Sequence, residues 1–267
     1  MFHSNKKCGW SPSVALLFAS CLVLQPTSVP AESVTVRYLE GLTHGFLALR
    51  TLEGKTLADG DLTQVARGER VTARVVFHFK DGSLHDETTV FFQGKTFRLL
   101  TEHLIQKGPS FEHPIDALID STTGSVTVRT IDHDGKEKVE TDHIDLPPDV
   151  ANGLIFILLK NLGSETTETK VAMVATTPKA RLVKLAITRK GMEAFSIDGS
   201  SRKATHYVVK IEIGGAAGLV APLLGKEPPD IHVWILGGDA PVFVKSEGPL
   251  FYGGPIWRIE LVSPVWH

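Results

Sequence analysis

The sequence predicts a mainly β protein: one large curved antiparallel sheet, a half-barrel of about a dozen strands, packed around one central helix. Three observations carry this expectation. Apolar and polar residues alternate with period two along most of the chain, as in half-buried strands. The alternating runs are separated by short Gly-containing pairs such as Asp-Gly, Glu-Gly and Gln-Gly, which turn hairpins. One segment follows neither rule and reads as a helix.

In chain order, Phe46–Leu52 and a strand from Lys55 onward flank Glu53-Gly54. Val71–Phe79 alternates cleanly, with Val71, Ala73, Val75, Phe77 and Phe79 on one face. Asp81-Gly82 turns it into Leu84–Phe92, and Gln93-Gly94 turns that into Thr96–Gln106, giving a meander. Ile115–Asp120 and Ser125–Ile131 flank Ser121-Thr122-Thr123-Gly124, and Asp134-Gly135 leads into Lys136–His143. After Pro147-Pro148, residues Asp149–Asn161 read as a helix. The prolines suit a first turn, Asp149 suits the positive end of the dipole, and Gly163 follows the end. The helix is apolar on most sides, so it is expected to lie buried against a sheet; Asn152-Gly153 interrupts it. Strands resume at Lys170–Thr176, Leu182–Thr188, Thr205–Ile213, Ile231–Leu236, Val242–Lys245 and Ile256–Val262.

Residues 1–31 have the pattern of a secretory signal peptide. Lys6 and Lys7 precede the apolar stretch Val14–Leu24, and Val29-Pro30-Ala31 supplies a small residue for cleavage. The stretch is shorter than the roughly 20 residues a membrane-spanning helix needs. The expected organisation is a signal peptide over 1–31 and a single β-rich domain over 32–267, exported to a periplasm or the extracellular space. Both cysteines, Cys8 and Cys21, lie in the leader, so the remaining domain has no disulfide, no Cys-ligated zinc and no cysteine nucleophile. Phe18-Ala19-Ser20-Cys21 loosely follows a lipobox, which leaves a lipid anchor on Cys21 as the less favoured alternative.

The net charge of −2 is evenly spread, with no basic stripe, which argues against a nucleic-acid partner. No nucleophile elbow, zinc-protease helix or dinucleotide fingerprint is present. Gly54-Lys55-Thr56 and Gly94-Lys95-Thr96 imitate the end of a phosphate loop but lack its first glycine, and Asp132-His133-Asp134-Gly135 lacks the later ligands of a calcium loop. All three read as hairpin turns. One constellation does suggest chemistry. Two-residue turns at Asp81-Gly82 and Gln93-Gly94 would set His78, His85 and Glu102 in a row across three strands, with Glu87 and Arg98 diagonally near. Two imidazoles and a carboxylate suit zinc or non-haem iron. A one-residue slip in either turn would scatter the row, and the plain alternative is the polar face of a meander. No catalytic residue, metal ligand or cofactor is otherwise assigned.

Two apolar features point to binding. Gly214–Gly225 runs twelve residues without a charge, as a flap over an apolar cavity or a segment packed on the core. Trp234, Phe243, Phe251, Tyr252, Trp257 and Trp266 gather near the C-terminus, as in carbohydrate sites or, more commonly, as core filling.

Leu146-Pro147-Pro148-Asp149, Ala204-Thr205-His206-Tyr207, His232-Val233-Trp234-Ile235 and Pro241-Val242-Phe243-Val244 carry a resemblance. Over Ile115 to Val262 the chain resembles exported bacterial proteins of unknown function and the half-barrels of periplasmic lipoprotein carriers. The resemblance implies an apolar groove between a concave sheet and the helix, and no reaction. The function expected is therefore a non-enzymatic binding or carrier protein for an apolar ligand such as a lipid or acyl chain. The alternatives are a metal-dependent enzyme using the His-His-Glu row, and a structural envelope adaptor that meets a membrane surface or envelope protein.

Overall fold

Alternation along the chain produces strands because each places one row of side chains in the core and the other outside. In the computed structural model, which describes Met1 and residues 33–131, 134–177, 179–197, 200–212 and 227–262, fourteen strands and one helix result. They belong to the unit Ala31–His267. The expected signal peptide with Cys8 and Cys21, the Gly214–Gly225 segment, Asp132, His133 and Trp266 lie outside the described residues. Among the described residues no helix is long and apolar enough to cross a membrane.

The strands of the first half are β1 (Thr43–Arg50), β2 (Thr56–Arg67), β3 (Arg70–Phe79), β4 (Leu84–Gln93), β5 (Phe97–Lys107), β6 (Ile115–Asp120), β7 (Ser125–Ile131) and β8 (Glu137–His143). The helix α1 (Ile155–Asn161) follows. The second half comprises β9 (Glu168–Ala175), β10 (Arg181–Ile197), β11 (Ser200–Glu212), β12 (Ile231–Leu236), β13 (Val242–Gly248) and β14 (Trp257–Val262). All fourteen form one sheet in the order β8-β7-β6-β5-β4-β3-β2-β1-β14-β13-β12-β11-β10-β9. Every named pairing is antiparallel.

This order is two meanders laid edge to edge. The chain steps outward from β1 to β8, crosses to the opposite edge through the α1 segment, and steps back from β9 to β14, which pairs with β1. The sheet curls enough to bring its ends together: Ala180 N, beyond the end of β9, donates to Asp142 Oδ2 on β8 at 2.9 Å. One continuous core lines the inner face, with Phe77, Phe91, Leu49, Ile119, Leu185 and Val209 among its fully enclosed members. Gly60 on β2 faces Phe77 on β3, and a Cβ there would meet the Phe77 ring at 2.5 Å, so the missing side chain is what lets that ring lie flat across its neighbour.

The helix is buried on this inner face, against β12 and β13, with Ile157, Leu158 and Leu159 enclosed and the Phe156 ring 4.5 Å from that of Phe243. Its extent corrects the sequence reading, since Asp149–Leu154 is not α-helical. Asp149 and Asn152 are instead spent on the edge strand β9. Asp149 Oδ2 accepts from Ala172 N at 3.0 Å, and the Asn152 amide both accepts from Val174 N at 2.8 Å and donates to Val174 O at 3.0 Å. Gly153 then takes φ +64°, a left-handed conformation that ends any helical continuity upstream of Leu154. At the other end Asn161 ties the helix to the N-terminal arm: Oδ1 accepts from Arg37 N and Tyr38 N, each at 2.8 Å.

Candidate functional site

Between α1 and the inner face of the sheet the core is not filled. A cavity of about 260 Å³ remains, far more than the ~10–15 Å³ that one water needs. Its walls are mostly apolar: Leu47, Leu62, Val75 and Phe77 from the first meander, Phe156 from the helix, Phe243 and Ile259 from the second. Two polar stations interrupt them, one around Glu87 and one around Lys160.

The first station is built by β4 and β5, whose inner-facing positions carry His85, Glu87, Thr89, Glu102 and Gln106. His85 pairs with Gln106 and Thr89 with Glu102, which leaves Glu87 diagonal to Glu102. The Gln106 amide nitrogen lies 3.0 Å from His85 Nδ1 and donates to Leu250 O at 2.9 Å. An amide NH₂ can only donate, so Nδ1 accepts, and the ring proton sits on Nε2, which is 3.7 Å from Glu87 Oε2. Glu87 and Glu102 are hydrogen-bonded to each other. Burial, then the adjacent Glu87 charge, push the Glu102 carboxyl well above its ordinary value, while Asn152 Nδ2 donates to it at 3.2 Å. Burial also acts to raise Glu87, but the His85 imidazole and the Glu102 hydrogen bond outweigh it, and its pKa is lowered. The two carboxyls are thus driven apart, Glu102 upward and Glu87 downward. Gly153 presses on this station: a Cβ there would meet Thr89 Oγ1 at 1.9 Å and Glu87 Oε1 at 2.9 Å.

At the second station Lys160 Nζ stands 2.5 Å from Glu40 Oε1, and Gln64 donates to Glu40 Oε2 at 2.8 Å. Gln93 holds Glu40 in place, accepting from its backbone N at 2.7 Å and donating to its carbonyl at 2.9 Å. Lysine and glutamate neutralise each other.

The predicted row of His78, His85 and Glu102 is not assembled. Phe79 N donates to Ser83 O, making Lys80–Gly82 a three-residue loop instead of the expected two-residue turn, and His78 pairs with Leu84. That slip puts His85 opposite Phe77 on the buried inner face, while His78 stays on the exposed outer face. In the second hairpin Gln93 pairs with Phe97 and a bulge falls at Val90/Phe91, so Glu102 faces Thr89 instead of His85. His85, Glu102 and the diagonal Glu87 do share the interior; Arg98 faces outward and is exposed. Among the described residues no three His, Cys, Asp or Glu side chains are grouped to hold a metal ion.

A further polar cluster on the outer face went unread in the sequence. Glu193 Oε1 lies 2.8 Å from His206 Nδ1, Glu193 Oε2 accepts from Trp234 Nε1 at 2.8 Å, and His206 Nε2 lies 2.9 Å from His232 Nδ1. The His206 ring stacks on Trp234 at 4.5 Å, and Lys245 Nζ sits 3.9 Å from the Trp234 ring centre. Burial lowers the His206 pKa, and the Trp234 hydrogen bond lowers that of Glu193. The signal was the pair of β runs containing His206 and His232, but their register depends on a connection without turn chemistry to count from. Of the C-terminal aromatics, Phe243, Phe251 and Trp257 pack into the core, while Tyr252 is exposed.

No family model matches the chain, and no curated protein matches it. Among solved structures it is similar to the crystal structure of a β-barrel-like protein of a domain of unknown function, DUF1849, from Brucella abortus, at 12% identity and a TM-score of 0.48, over 86% of this chain and 100% of that one.

Proposed function

We propose that this chain is an exported, non-enzymatic binding or carrier protein for an apolar ligand such as a lipid or acyl chain. One observation carries the reading: an apolar-walled cavity of about 260 Å³ lies between the helix and the sheet. Ligand sites have this character, concave and mostly apolar with a few placed polar groups. The leader pattern supports export, and the Gly214–Gly225 segment supplies an uncharged stretch suited to apolar company.

The test is uptake of N-phenyl-1-naphthylamine, a neutral apolar dye, by the full chain. Ala73 lines the cavity from β3, and Ala73→Phe places a ring in it. The dye is expected to bind the native chain at micromolar concentration, with affinity reduced at least tenfold in Ala73→Phe. No uptake by a folded native chain, or equal uptake by a folded Ala73→Phe chain, would refute the reading.

A further inference from the structure

The walls of the cavity carry an unbalanced charge, and that selects among apolar ligands. Glu87 on the wall and its diagonal neighbour Glu102 set two carboxyl groups together, and two carboxyls with one proton between them keep one negative charge. Its other neighbours do not cancel it. His85 is held at Nδ1 by the Gln106 amide, with Nε2 3.7 Å from Glu87 Oε2, too far for a hydrogen bond, and Asn152 contributes only an amide dipole. The cation on the wall, Lys160, is held by Glu40, and Gln64 occupies the second oxygen of that carboxylate. A carboxylate facing an apolar space without a counter-charge is costly to leave so.

Glu87 is also reachable from the cavity. Its side chain lines the space and keeps 25% exposure, whereas the His85 beside it keeps 4%. Gly153 helps, because any side chain there would sit against Glu87 Oε1. Apolar walls then extend from this carboxylate past Val75, Phe77 and Phe156.

We propose that the cavity takes a single-chain amphiphile with a cationic alkylammonium head seated on Glu87, and discriminates against a free fatty acid. The head donates to the carboxylate and supplies the missing positive charge, while the chain lies along the apolar walls. A carboxylate head would instead place like charges side by side. This inference rests on the apolar-ligand reading of the same cavity.

Calorimetric titration of the full chain at pH 7 with octylamine, 1-octanol and octanoate tests it, since the three share a chain and differ in head. Octylammonium is expected to bind at least tenfold tighter than octanoate, with octanol between, and Glu87→Gln is expected to cut the advantage of the amine over octanol to less than threefold. Octanoate binding as tightly as the amine overturns the head assignment and leaves the apolar cavity standing. Absence of binding by all three overturns both. The ranking is measured on the unaltered chain, so it decides even where Glu87→Gln fails to fold.

Discussion

Glu102 shows how one buried side chain can tie stability to pH. Burial and the neighbouring Glu87 charge raise its carboxyl well above the ordinary 4.5. A raised carboxyl pKa means the fold holds the proton more tightly than the unfolded chain does. Its contribution is therefore complete below about pH 4.5 and is lost as pH rises through the folded value. Glu102→Gln keeps a donor toward Glu87 and an acceptor for Asn152 but has no proton to lose. It should flatten the pH dependence above 4.5 and make the protein more stable at pH 8, by about 1 kcal/mol or more. Urea unfolding at pH 5 and pH 8 checks this, and an unchanged slope would count against the raised Glu102 carboxyl. Gly153 is the second residue that decides much locally. Its φ is +64°, and a Cβ added there would lie 1.9 Å from Thr89 Oγ1. Gly153→Ala should therefore cost about 3 kcal/mol or more, read as a lower denaturation midpoint. In the sequence the Asn152-Gly153 pair was visible as an interruption, but not its purpose. Nothing local says that Asn152 reaches an edge strand or that Gly153 meets a glutamate on β4.

At the scale of elements, the edges of the sheet explain the segment before α1. An uncovered edge strand offers free N–H and C=O groups to any passing chain. Asp149, Ala151 and Asn152 satisfy those of β9 at Ala172 and Val174, with Ala151 N donating to Ala172 O at 2.8 Å. Asn152→Ala removes both bonds to Val174 and the one to Glu102. It should cost about 1–3 kcal/mol and speed hydrogen exchange at the Val174 amide, which protection measured by NMR or mass spectrometry reports. Full protection at Val174 in the variant would refute the role. Most strands were legible because alternation is a local property: Ile115–Asp120, Ser125–Ile131 and Ile231–Leu236 stand where the pattern puts them. The helix was legible only in its apolar second half, because proline, aspartate and asparagine serve an edge strand as readily as a helix start. The hairpin registers failed for a related reason. Asp81-Gly82 fits both a two-residue and a three-residue loop, and one residue of difference turns His85 inward, away from His78.

For the whole molecule, the pairing of β1 with β14 is the contact that joins the two meanders. Phe46 meets Val262 and Arg50 meets Arg258 across that seam, with Arg50 Nε 3.1 Å from Glu260 Oε2. Such distant pairing closes a very long loop, so the core depends on both ends of the domain. A chain ending at Pro255, which lacks β14, should lose its cooperative thermal transition, followed by near-ultraviolet circular dichroism; a retained sharp transition would show that the first meander is stable alone. By itself the sequence determined the β class, the antiparallel meanders, the buried apolar helix and the absence of thiols beyond Cys21, since period, turn chemistry and composition act within a few residues. Only the tertiary structure decided which faces meet: the curl that brings Asp142 to Ala180, the cavity left beside α1, and the placing of Glu102 behind the cavity-lining His85 and Glu87. Those depend on loop lengths and bulges that shift register by single residues, and on contacts between segments a hundred or more residues apart, as where Arg37 N meets Asn161 Oδ1.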